Sequence, residues 1–206
     1  FIPGLIIAPN TTINPQVASL LAVPYPQNHL TFATTTALYP EGMRPALSLN
    51  FGAVSVSDDY TGSLKIRGDL VFGQGAVVRT NPLGNVGLKA DTIAMLGSII
   101  APGGTITLTG ANRFPSNATP TQALPTVYLG PRSLLSTAGT VVLQPDAYGR
   151  RVGTVLPGGT VTVSGNIVGA RGSVIDVSGA SGILDLHPNY LGSETSPLVL
   201  ASSGLT

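Results

Sequence analysis

The chain has 206 residues, of which only 9% are charged and 5% aromatic; Lys and Arg number 10, Asp and Glu number 9, and Cys and Trp are absent. A net charge of +1 gives no electrostatic case for nucleic acid or an anionic membrane, and so few aromatic rings make a poor stacking platform for bases. Without Cys there are no disulfides and no thiolate metal sites, a composition compatible with export.

The chain opens on Phe1 with no basic leader pattern, as expected of a processed or partial chain. The first forty residues carry no Asp, Glu, Lys or Arg, but Pro3, Pro9, Pro15, Pro24, Pro26 and Pro40 interrupt them. No apolar run of about 18 residues remains, and the aromatic girdles of a membrane barrel are missing, so membrane insertion is not expected. "PQVASLLA", around Val17 to Ala22, is the one candidate helix, about two turns between prolines. Beyond it the pattern alternates with period two. "ALSLNFGAVSVS" gives the alternating sets Leu47, Leu49 and Phe51, then Val54 and Val56. "SLKIRGDLVF" sets Leu64, Ile66, Gly68, Leu70 and Phe72 against Lys65, Arg67 and Asp69.

One phrase then recurs: "GSIIAPGGTITLTG" (97–110), "RSLLSTAGTVVL" (132–143), "GTVLPGGTVTVSG" (153–165) and "GSVIDVSGASGILDL" (172–186). Each is an apolar step, a small-residue corner and an alternating strand. In "GTITLTG" Ile106 and Leu108 oppose Thr105, Thr107 and Thr109; in "GTVTVSG" Val161 and Val163 oppose Thr160 and Thr162. Sliding "GQGAVV" onto "GSII" places Gly75, Val77 and Val78 over Gly97, Ile99 and Ile100, and Val174-Ile175 falls over Val155-Leu156 in the same way. A period of about 20 residues with corner chemistry preserved marks a β-solenoid, in which each copy of the phrase is one coil. The expected fold is all-β, a right-handed parallel β-helix of roughly eight or nine coils at about 20 residues each, about 40 Å long. Residues 1–62 form an N-terminal β segment of first coils. Residues 63–206 form the helix proper, with loop excursions at 111–126, before strand Val127–Leu129, and at 187–197, before "LVLASS".

The coils "GSIIAPGGTITL" and "GSVIDVSGASGILDL", with the opening "LIIAPNTTINPQ", resemble very large secreted bacterial proteins of the filamentous haemagglutinin type, the two-partner secretion family. The likeness covers most of 63–186 and, more weakly, the first sixty residues. It implies an extracellular fibrous adhesin of a Gram-negative bacterium, exported through an outer-membrane transporter. The Asn-Pro-Asn motifs of that family's secretion domain are not found, "INPQ" at 13–16 not being one, so the match is to the shaft.

Parallel β-helices also carry polysaccharide lyases and hydrolases, whose chemistry needs carboxylates clustered on one face. The only adjacent pair, Asp58-Asp59, reads as a solvated turn; His29 and His187 lie far apart among loop residues. Asp185 misses the Gly-Gly-x-Gly-x-Asp spacing of a Ca²⁺ repeat, and the Pro-Gly-Gly corners lack the Lys-Ser/Thr of a phosphate loop. "RGD" at 67–69 lies along a strand rather than at a loop tip, the sequons at Asn10 and Asn117 are idle in a bacterium, and Arg150-Arg151 reads as a solvated corner. No catalytic, cofactor-binding or metal-binding residue is expected, and no cofactor. The function expected is structural and adhesive: a stretch of a surface fibre that self-associates or binds a cell-surface or glycan receptor. The alternatives are a carbohydrate-active β-helix enzyme or tailspike-like protein, and a subunit of an end-to-end filament.

Overall fold

The computed structural model describes residues 4–16, 18–23, 33–53, 56–57, 65–66, 68–110, 126–185 and 198–203, side chains excepted in 18–23, 33–38, 56–57, 65–66 and 198–203. Among them the chain is all-β, with a single 3-10 turn and no α-helix. It makes repeated circuits through three parallel sheets. The first circuit runs through β1 (Gly4–Ile7) and β2 (Thr12–Ile13), then a hairpin of β3 (Ala18–Val23) with β4 (Ala33–Leu38), the 3-10 turn Glu41–Met43, and β5 (Ser48–Gly52). A short antiparallel pair, β6 (Val56–Ser57) with β7 (Lys65–Ile66), leads to the second circuit. That circuit is β8 (Asp69–Phe72), β9 (Val77–Arg79) and β10 (Asn85–Ala90), and the third is β11 (Thr92–Met95), β12 (Ser98–Ile100) and β13 (Thr105–Gly110). The fourth contains β14 (Val127–Leu129), β15 (Leu134–Ser136), an antiparallel hairpin of β16 (Val141–Gln144) with β17 (Val152–Val155), and β18 (Thr160–Ser164). The fifth has β19 (Ile167–Gly169) and β20 (Val174–Asp176), after which β21 (Ala180–Asp185) turns aside to pair antiparallel with β22 (Leu198–Ser203). The first sheet is therefore β1-β8-β11-β14-β19, the second β2-β9-β12-β15-β20 and the third β5-β10-β13-β18.

Parallel, unshifted register stacks equivalent residues in columns. One column is Leu5, Leu70, Ile93, Val127 and Ile167; another is Ile13, Val78, Ile99, Leu135 and Ile175; a third is Phe51, Leu88, Leu108 and Val163. Leu70, Val78, Ile99, Ile106, Leu108 and Leu135 are completely buried. The alternation of "TITLT" and "TVTVS" is realised, with Thr105 paired to Thr160 and Thr107 to Thr162 on the face opposite the core.

Corners obey the same stacking. Entering the third sheet, Gly84, Gly104 and Gly159 lie in one column, and a Cβ on Gly104 or Gly159 would fall inside contact distance of the carbonyl oxygen of Gly84 or Gly104 respectively. The recurring Pro-Gly-Gly thus has a cause: its second glycine lets successive backbones approach, and Gly103 (φ 61°) supplies the left-handed bend. Entering the first sheet, Asp91 and Gly68 are tied twice, Asp91 N–H donating to the Gly68 carbonyl (2.8 Å) and Gly68 N–H to the Asp91 carboxylate (2.9 Å). Two circuits on, Thr126 and Asn166 repeat the reciprocal tie, with the Thr126 hydroxyl accepting from Asn166 N–H at 2.9 Å.

Five expectations change. The stretch around Val17 to Ala22 holds strand β3, not a helix: its residues lie between Pro15 and Pro24, too few for a stable helix, and pair with the Thr-rich β4. The strand read across 64–72 is divided, Ile66 belonging to the β6–β7 pair and only β8 to the first sheet. Val78, not Val77, lies beside Ile99, a one-residue slip from the glycine-based alignment, because a slip exchanges the faces and the buried set is Val78, Ile99 and Leu135. The second and third copies of the phrase are not two coils but the halves of one, since Val141–Gln144 and Val152–Val155 form the inserted hairpin and Val174 pairs with Leu134. The first and second sheets accordingly hold five described strands and the third four, rather than eight or nine, about 20 Å along the stack. Resumption of the strand at Val127–Leu129 is as expected, whereas residues 111–125 and 186–197 lie outside the described residues.

Two substitutions test this arrangement by chemical denaturation. Ile99→Ala should cost about 2–5 kcal/mol, and Ile175→Ala, in the same column but half exposed, less than half as much. Gly104→Ala should cost about 3 kcal/mol, whereas Gly149→Ala, with open space around it but a φ of 71°, should cost about 1–2 kcal/mol.

Candidate interaction surfaces

Three surfaces depart from the regular stack. The first is the fifth circuit. Inside the stack Val127 and Leu135 are covered on both sides, but their successors Ile167 and Ile175 are 47% and 49% exposed. Val168, Val174 and Val177 are exposed beside them. In all three parallel sheets the last described strand, β18, β19 or β20, has a neighbour on one side only, leaving N–H and C=O groups directed along the stack.

The second is a notch at the corner between the first and second sheets. Four circuits turn there through four residues, 8–11, 73–76, 130–133 and 170–173, and the third of these is left-handed each time: Asn10 (φ 58°), Gly75 (73°), Arg132 (65°) and Gly172 (88°). The third circuit turns through Leu96 and Gly97 alone. The ridge is interrupted at that level, and an open cleft of about 390 Å³ results, walled by Asn10, Gln74 and Gly75 on one side and Arg132 on the other. Gly97 forms its floor, where a Cβ would meet the Ala76 and Gly73 carbonyls.

The third is the tip of the β16–β17 hairpin, "QPDAYGRR". The Asp146 carboxylate accepts from Tyr148 N–H (2.9 Å), Arg150 N–H (3.1 Å) and both Nε (3.1 Å) and Nη2 (2.8 Å) of Arg150. So held, the guanidinium lies 5.1 Å from the centre of the Tyr148 ring, which is 83% exposed. The fork of bonds from Arg150, foremost, holds the Asp146 carboxyl well below the usual carboxylate range, and the same pairing raises Arg150. Next along the chain, Arg151 pairs with Asp185 of β21 at 3.5 Å, and its N–H donates to that carboxylate at 2.7 Å, fastening one hairpin to the other. An aromatic ring braced by a fixed cation is the composition of a contact hot spot.

The residues weighed in the sequence are dispersed. Asp58, Asp59, His29, His187, Asn117 and Arg67 lie outside the described residues. Asp69 accepts a hydrogen bond from Thr92 on the next circuit, so it serves the stack. Asp185 is engaged by Arg151 and Asp146 by Arg150, so at this exposed corner each arginine has its own carboxylate. Asn10 sits on the wall of the notch. Among the described residues no three His, Asp or Glu gather as a metal site, and no helix is long and apolar enough to cross a membrane. The hairpin tip was the surface missed, although Pro-Asp and Gly between "VVLQ" and "VGTV" are turn chemistry.

The depressed Asp146 pKa carries a sign. Its pairing contributes fully above the ordinary Asp value of about 3.9 and is lost only as pH falls through the lower folded value. In an NMR titration the Tyr148 and Arg150 signals should therefore hold their positions through pH 4 and move only in stronger acid. Asp146→Asn should abolish that acid transition.

Comparison with protein-family models, with curated proteins and with solved structures finds no match to this chain.

Proposed function

We propose that the three sheets wind as one right-handed parallel β-helix, and that the chain is a structural and adhesive stretch of a long extracellular bacterial fibre of the filamentous haemagglutinin type, without catalysis. The observation that carries this reading is the unshifted parallel register kept from circuit to circuit in three sheets around one core. Such a stack extends by repetition, and its described end strands present the edges that a further circuit would pair with. Right-handed winding follows the strong preference of parallel crossover connections. Outward Thr and Ser on the third sheet, and the braced Tyr148 on its hairpin, supply the lateral surfaces through which a fibre would meet its neighbours or a cell-surface or glycan receptor. Export in this reading proceeds through an outer-membrane transporter.

The same open ends favour a second reading, a subunit that polymerises end to end. Intact mass of the native polypeptide under denaturing conditions, together with antibody labelling of unbroken cells, decides between them. A polypeptide several times longer than these 206 residues, labelled at the cell surface, is expected. A mass corresponding to this chain alone overturns the shaft and favours the subunit. Labelling that appears only after the cells are opened overturns the surface location.

A further inference from the structure

A small cavity lies at the corner between the second and third sheets, at the root of the inserted segments, and its volume is about 90 Å³. That is well below the roughly 300–1,000 Å³ of sites for drug-sized ligands. Its walls are drawn from four circuits: Asn14 and Gln16 after β2 and Glu41 and Arg44 at the 3-10 turn from the first, Arg79 at the end of β9 from the second, Pro102 after β12 from the third, and Thr140 before β16 from the fourth. Almost all of this lining is polar. Arg44 is partly buried, and its Nε donates to the Tyr39 carbonyl at 2.7 Å, which fixes the guanidinium and leaves its terminal amino groups without a partner among the described residues. Arg79 and Glu41 are exposed, and the guanidinium of the one and the carboxylate of the other have no partner among the described residues. Thr80 belongs to the same wall, but its hydroxyl is buried against Gly84 and closed to the cavity.

Two guanidinium groups beside amide and hydroxyl donors make a site for a tetrahedral oxyanion. The single carboxylate narrows the choice. Glu41 can only accept a hydrogen bond, so it repels an anion with no proton and welcomes one that still carries an O–H. At neutral pH sulfate has no such proton and a phosphate monoester is largely stripped of it, whereas inorganic phosphate retains at least one. We propose that this cavity binds inorganic hydrogen phosphate, with Arg44 and Arg79 holding its charged oxygens and Glu41 accepting its proton-bearing oxygen.

The test is calorimetric titration of the 206-residue chain at constant ionic strength with phosphate, sulfate and O-phosphoserine in separate runs, with circular dichroism confirming that each variant folds. Phosphate should bind saturably and about tenfold more tightly than sulfate or the monoester. Arg79→Gln and Arg44→Gln should each weaken phosphate about tenfold, with Arg79→Lys retaining part of the binding. Glu41→Gln should bring phosphate and sulfate to similar affinity. Absence of saturable phosphate binding in the millimolar range, equal binding of sulfate by the native chain, tighter binding of the monoester, or indifference to Arg79→Gln would each overturn the proposal.

Discussion

Each strand residue of the regular stack lies against the equivalent residue of the adjacent circuit, on both sides in the interior and on one side at the ends, at the parallel strand spacing of about 4.8 Å. That one constraint selects the chemistry of each position. Inward columns must be apolar throughout, as Leu70, Ile93 and Val127 are, because a polar group there would meet no partner along the stack. Corner columns must be small where the backbones close on one another, as at Gly84, Gly104 and Gly159. At the corner entering the first sheet the polar side chains of Asp91 and Thr126 bond to the backbone of the adjacent circuit. Low charge follows from the same rule, since like charges in a column would repel at strand spacing.

Departures concentrate where stacking leaves freedom. Shortening one corner to Leu96 and Gly97 opens the notch without disturbing the strands on either side, because Met95 and Ser98 keep their partners. Lengthening acts at the corner between the second and third sheets, where the first circuit inserts β3, β4 and the 3-10 turn, the fourth inserts β16 and β17, and the fifth departs into β21. These excursions form a second layer, with the 3-10 turn against β16 and β21 against β17. Function, in the readings argued above, lies in this layer and at the ends, while the core supplies position.

How much was legible follows from which signals are local. Alternation is local, so the inward set Ile106, Leu108, Val161 and Val163 and the outward threonines were readable residue by residue. Register is not local. Gly75 and Gly97 look like the same corner, but one belongs to a four-residue turn and the other to a two-residue turn, and the difference moved Val77 into the place of Val78. The β16–β17 hairpin was hidden by its own composition, since "VVLQ" and "VGTV" alternate as well as any strand of the stack and only pairing direction separates them. The phosphate cavity had no sequence signature, because Asn14, Glu41, Arg79 and Thr140 meet only once four circuits are stacked.

The hairpin that interrupts the fourth circuit bears on how the molecule would carry load. Hydrogen bonds between circuits run along the stack, so tension along that direction opens them one strand at a time, the geometry in which a sheet is weakest. The β16–β17 hairpin does not follow the strands: β16 reaches the 3-10 turn of the first circuit, where the Gly42 backbone meets that of Leu143, while Arg151 grips Asp185 beyond the fifth. A single covalent excursion thereby spans the circuits from end to end. It acts as a strut beside the stack, so that parting any two circuits also requires prying loose a contact made elsewhere, and the described segment resists as one mechanical unit rather than as separable turns.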